Sequence, residues 1–298
     1  MGRHLLRFTT PNLGSSLTIS PTELSSDLDP VLPFPVISGA VQIPARPVAN
    51  VGAVNQFETT AGSAYNSLQL GLRERFIRSK LNFQAYYTFS KAVDDVSDVF
   101  DLAGAYVLPQ DSFNLSAERG PANFDRRHSF VYSFSLEVPA SDRNLLLRLL
   151  ARNVQVAGTG RVASGQPFTV NSTIDVNLDG NLTDRLNATN GLQITGIGQT
   201  PLRLTTANLL GMLASFGQDG RIGRNSFTAG GLVDLDLAVT KGFVFGSRSL
   251  RFRTELFNFP NRTNFGIPVR QLEATGFGNA TKTITPGRRI QFVIKYEF

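Results

Sequence analysis

Cysteine and tryptophan are absent from the 298 residues, and histidine and methionine occur twice each. Without cysteine there is neither a disulfide framework nor a thiolate metal site, and that absence alone selects no cellular compartment. The two histidines, His4 and His128, lie far apart in sequence, and His128 stands at a strand start beside Arg126 and Arg127, a poor setting for a general base. HExxH, GxSxG and GxxxxGKS/T patterns are all missing, so zinc hydrolysis, a nucleophile elbow and a phosphate loop lack support. The chain does not read as an enzyme.

Long apolar runs are missing as well. The longest, Leu145 to Ala151, is interrupted by Arg148 and falls short of the roughly 20 residues a membrane helix needs. Residues 1–10 contain Arg3 and Arg7 but no sustained apolar stretch or small-residue cleavage site, so no signal peptide is read there. Charged residues make up only 17% against 41% hydrophobic, which excludes a disordered chain. The net charge of +6 comes from 29 basic and 23 acidic residues scattered without Lys/Arg blocks, so no nucleic-acid partner is expected.

What the chain does contain is alternation. In the last eleven residues Ile290, Phe292, Ile294, Tyr296 and Phe298 share one parity, and Gln291, Val293, Lys295 and Glu297 the other, which is the period of a strand. Leu250, Phe252 and Leu256 oppose Arg251, Arg253 and Glu255, while Val233, Leu235, Leu237 and Val239 oppose Asp234, Asp236, Ala238 and Thr240. Phe130 to Val138, Leu81 to Phe89 and Leu68 to Arg75 repeat the pattern, and a weaker seventh strand runs through Val154, Val156 and Val162. Gly158 and Gly160 leave gaps on one face of that strand.

These strands approach the roughly 9 to 11 residues needed to cross a bilayer at a tilt. Short links (77–80, 139–149, 241–249) alternate with long ones (91–125, 164–230, 260–287), the asymmetry of outer-membrane barrels with short periplasmic turns and long extracellular loops. The expected fold is therefore all-β: a partial, antiparallel outer-membrane β-barrel of about seven or eight long strands. A soluble sandwich, for instance a carbohydrate-binding one, is the competing reading, because alternation with one buried face is equally natural there. Against it stand the length of the 164–230 link and charged faces that suit a water-filled lumen better than a packed core. On the barrel reading Arg73, Arg75, Asp234, Asp236, Arg251, Arg253 and Glu255 line that lumen. Phe89, Phe130, Phe257, Phe259, Tyr296 and Phe298 fall near strand ends, where interface girdles lie.

One loop has the spacing of a cation site. Asp175, Asn177, Asp179, Asn181 and Asp184, with Gly180 at the turn, place oxygen donors at alternate positions as a calcium loop does. The EF-hand version is excluded, because its twelfth position, a Glu there, is Leu186 here. A plain turn in which Asp and Asn side chains bond their own backbone stays open beside Ca2+ binding. Asp94, Asp95, Asp98 and Asp101 read as a solvated acidic rim, and Glu118, Arg119, Asp125, Arg126 and Arg127 as braces returning a loop to the wall.

Several segments together resemble the C-terminal barrel of TonB-dependent outer-membrane receptors of the Oar-like kind. They are GRHLLRF (2–8), AYNSLQLGLRERF (64–76), YTFSKAVDD (87–95), AERGPANFDRRHSF (117–130), SGQPFTV (164–170), DVNLDGNLTDR (175–185), GRNSF (223–227), ELFNFPNRTNFG (255–266) and RRIQFVIKYEF (288–298). The resemblance implies that residues 1–298 are the C-terminal part of such a barrel, with a partial strand and long loop in 1–64 and seven strands in 65–298. It implies a fragment, since the plug and signal peptide of the family find no counterpart. It also implies an outer-membrane location in a Gram-negative-type bacterium, lipid contact, TonB coupling through a plug outside this chain, and uptake of an unidentified ligand without a required cofactor. Phe292, Ile294, Tyr296 and Phe298 resemble the terminal signal read by the barrel-assembly machinery. The alternative is a small eight-stranded barrel, closed by the strand near Arg3 to Thr9, that binds a surface partner.

Overall fold

A computed structural model of the protein describes residues 2–12, 18–19, 41–42, 48, 50–52, 54–76, 80–97, 108–139, 151–194, 204 and 206–298. Eight strands form the main path: β1 (Gly2–Thr9), β2 (Gln56–Phe76), β3 (Leu81–Asp94), β4 (His128–Glu137), β5 (Val154–Ala163), β6 (Leu232–Phe245), β7 (Arg248–Phe257) and β8 (Arg289–Glu297). They pair in chain order, and every pairing is antiparallel. Among the described residues β1 and β8 do not pair with one another, so the sheet stays open.

The alternating segments all become strands, because period-two side chains satisfy a pleated sheet with two different faces. Three boundaries move by several residues, one of them the end of β3, which runs on to Asp94. β2 begins at Gln56, inside the stretch expected as a long loop, and its first part pairs with β1 from Gln56↔Thr9 to Ser63↔Gly2. The β6–β7 link, expected over 241–249, shrinks to Gly246 and Ser247 because the pairing runs on to Phe245↔Arg248. Gly246 has φ +64, the positive value a two-residue hairpin turn needs at its first position.

The described parts of the connections 95–127, 164–231 and 258–288 all leave the same end of the sheet and bond to one another there as one cap. A short strand pair, Pro167–Phe168 with Phe227–Thr228, ties the base of the middle connection. Phe168, Val170, Leu186, Ile194, Met212, Phe227, Leu272 and Phe277 make a buried cluster drawn from two of these connections. Among the described residues this apolar core cluster lies in the loops. No described helix is long and apolar enough to cross a membrane, which has no bearing on crossing by strands. Asp98, Asp101 and most of the 139–149 link lie outside the described residues.

Candidate functional site

Register decides which side chains share a face. Arg73 pairs with Gln84, Gln84 with Ser133, Ser133 with Thr159, and Thr159 with Asp236. The adjacent row on the same face runs Arg75, Asn82, Ser135, Ala157, Ala238, Glu255 and Gln291. Arg253 and Arg251 follow Glu255 at every second position of β7, and Asp234 precedes Asp236 on β6 beside Arg161. The residues named as a polar set are thus brought to one face of the sheet.

That face is a trough. A cavity of about 360 Å³ lies over Gln84, Ser133, Thr159, Asp236, Arg253 and Glu255. A second, of about 730 Å³, continues toward the short turns past Gln155, Arg251 and Lys295. Arg253 pairs with Glu255 at 2.8 Å, Lys295 with Glu297 at 2.7 Å, and Arg251 with Glu297 at 3.3 Å. Arg73 donates to the Tyr86 hydroxyl at 3.1 Å. Arg161 belongs to this face but was not singled out from sequence. Its strand shows only weak alternation, so one charged residue in it carried no signal.

The opposite face is mainly hydrocarbon, with Glu74 on it opposite Phe83 and His128 opposite Phe89. Leu70, Tyr87, Phe130, Val162 and Val233 form one row across five strands, and Phe83, Phe134, Gly158, Leu237, Leu256 and Ile290 form another. The gaps at Gly158 and Gly160 are filled by the Phe134 and Tyr132 rings, which occupy the space a side chain would take. These apolar side chains are uncovered: Leu70 is 57% exposed and Phe292 76%. No described element packs over them, which removes the second sheet that a sandwich requires.

The cap is held by ion pairs within and between its connections and to the strand ends beneath. The Arg224 guanidinium pairs with the Asp94 carboxylate and also donates to the Asp94 carbonyl at 2.7 Å, Ser97 Oγ at 2.9 Å and the Glu118 carbonyl at 2.8 Å. Arg185 reaches Glu118 Oε2 at 3.1 Å, with both side chains buried. Asp95 meets Arg7 at 3.6 Å and Arg119 at 3.0 Å, and Asp125 accepts from the Ala92 N–H at 2.8 Å. The solvated rim expected at Asp94 and Asp95 is therefore corrected: Asp94 is buried, because Arg224 arrives from a connection 130 residues away. Glu118 and Asp125 do brace the cap, through partners that local sequence did not indicate.

In the 175–184 loop, Asp175 accepts from the N–H groups of Asp179 at 3.1 Å and Gly180 at 2.9 Å, and Asn177 Oδ1 accepts from Asp179 N–H at 3.1 Å. Asp179 accepts from Asn181 N–H at 2.7 Å. Asp184 Oδ2 accepts from Val176 N–H at 2.8 Å, while Oδ1 is buried with no partner. Burial raises Asp175, pushes Asp179 up to about 6, and pushes Asp184 up to about 8, the last helped by the charges of Asp175, Asp179 and Asp219. At the chain end, Ile290, Phe292, Ile294 and Tyr296 stand on the apolar face of the edge strand β8, with the Phe298 ring 6.1 Å from Tyr296.

A family model described as an outer membrane beta barrel domain matches residues 2–291. No curated protein and no solved structure matches the chain.

Proposed function

The chain belongs to the outer-membrane β-barrel family, and on that footing we propose that it is a wall section of a TonB-dependent, Oar-like receptor that takes up a ligand from outside the cell. The observation that carries this reading is the trough. Arg73, Asp236, Arg253 and Glu255 share one face with amide and hydroxyl side chains, while the other face is mostly hydrocarbon, with Glu74 on it opposite Phe83. A lumen through which a plug moves needs such a wetted lining, and lipid needs the other side. The cap, with its own core, suits a set of loops that meet a ligand before it enters. On this reading further strands would satisfy the backbone groups at the β1 and β8 edges, which lipid cannot. Closing these eight strands on themselves as a small surface-binding barrel requires β1 to pair with β8, and among the described residues they form the two edges of the open sheet instead.

Because the chain lacks cysteine, a single Thr159→Cys variant reports on the trough alone. In whole cells its labelling by a membrane-impermeant maleimide is expected to accelerate when TonB is present and the inner membrane is energised. It should slow when TonB is deleted or a protonophore is added. Equal rates in all three conditions overturn the TonB-coupled reading while leaving membership of the family untouched.

A further inference from the structure

We infer that the loop 175–184 is a binding site for a hard divalent cation, calcium by its chemistry, completed by Asp219 from a distant turn of the cap. The first observation is convergence. Asn177 Nδ2 donates to Asp219 Oδ1 at 2.9 Å and to the Gln110 carbonyl at 3.1 Å, which draws three segments of the cap to one place. Asp175, Asp179 and Asp219 all act electrostatically on Asp184, and Asp111 acts on Asp179, so the carboxylates gathered here repel one another.

The second observation points to a ligand. Asp184 is 1% exposed, and its Oδ1 meets no hydrogen-bond donor. A buried carboxylate is ordinarily paired, since an isolated charge away from water is costly. The cap follows that rule elsewhere, at Arg224 with Asp94 and Arg185 with Glu118. At Asp184 the charges that act on it, Asp175, Asp179 and Asp219, share its own sign, and the adjacent Arg185 is paired with Glu118. An unpartnered buried carboxylate oxygen among like charges is the arrangement a cation relieves. Burial is the main cause of the upward shifts of Asp179 and Asp184, and the like charges add to it.

The donor set selects the ion. The oxygens come from carboxylates and an amide, and the chain has no cysteine, which favours Ca2+ over softer metals. Among the described residues no three carboxylates or imidazoles are already grouped closely enough to chelate. Asp175 and Asp179 are turned onto the N–H groups of the loop. Calcium tolerates six to eight oxygens at roughly 2.3 to 2.6 Å in a flexible geometry, so it suits carboxylates that must turn off the loop N–H groups to meet it, whereas magnesium demands a near-ideal octahedron. The inference does not depend on the transported ligand or on TonB.

The test uses the whole chain in detergent after EDTA treatment, with equilibrium dialysis against radioactive calcium and limited proteolysis of the cap in parallel. One ion per chain is expected, at a Kd on the order of 10⁻⁴ to 10⁻³ M as in extracellular calcium modules, together with slower cleavage of the cap. Asp184→Asn should weaken binding at least tenfold and remove the calcium-dependent protection. Its protease pattern without calcium should match the wild type, showing that the cap still folds. Asp219→Asn should weaken binding too. No saturable binding by the wild type at ~10 mM calcium overturns the site, and so does binding that survives Asp184→Asn.

Discussion

Arg224 illustrates how single residues hold the cap. Its guanidinium places four donor contacts on Asp94, Ser97 and Glu118, and Asp94 has no access to water. Truncating one partner of a buried pair leaves the other charge stranded, typically at about 3 to 5 kcal/mol. Arg224→Ala should therefore loosen the cap, read as faster proteolysis in the connections while the strands stay protected. Arg224→Lys should recover only part of the effect, because an ammonium cannot match the planar fork. A fully resistant cap in Arg224→Ala would contradict this assignment. Gly160 carries a different constraint. The Tyr132 ring and Leu235 fill the space beside it, so Gly160→Val should cost about 1 to 3 kcal/mol by overpacking, measured as a lower urea midpoint in detergent.

Strands make their commitments by face. Leu235 and Thr159 both lie on paired central strands, β6 and β5, but on opposite faces. An arginine directed into lipid at mid-membrane costs about 2 to 4 kcal/mol, and one in a wetted trough costs far less. Leu235→Arg should reduce the fraction that folds, seen as loss of the heat-modifiable gel band, while Thr159→Arg keeps it. Equal losses would mean that the faces are misassigned. The strands were legible in sequence because alternation is a local property, and the polar set on them followed from the same parity. β5 was faint because Gly158 and Gly160 stand where apolar residues mark the other strands, their volume being supplied by neighbouring rings. The first part of β2 was missed because Thr59, Thr60, Gly62 and Ser63 show no apolar parity, and β1 pairing alone makes that part a strand. The cap was illegible for another reason. Phe168 and Phe277, or Asp94 and Arg224, meet only after distant connections fold together, and no period announces that.

At the scale of the molecule, an open antiparallel sheet has a hydrocarbon face uncovered by protein, a polar trough and a capped end, and it finishes in a terminal phenylalanine. Phe298 is 94% exposed, so it contributes little to the folded chain. If it serves recognition of the edge strand by the barrel-assembly machinery, deleting it should lower the amount reaching the outer membrane severalfold. The urea midpoint of purified protein should not change. A deletion that leaves surface amounts unaltered would remove that role. The central claim is that lipid touches one parity of every long strand and water the other, and spin labels test it most directly. Single cysteines at 159, 133, 235 and 132, labelled in reconstituted bilayers, would be scanned for collision with oxygen and with a water-soluble nickel chelate. The account predicts oxygen-dominated relaxation at 235 and 132 and nickel-dominated relaxation at 159 and 133; the reverse, or no difference between the two pairs, would contradict it.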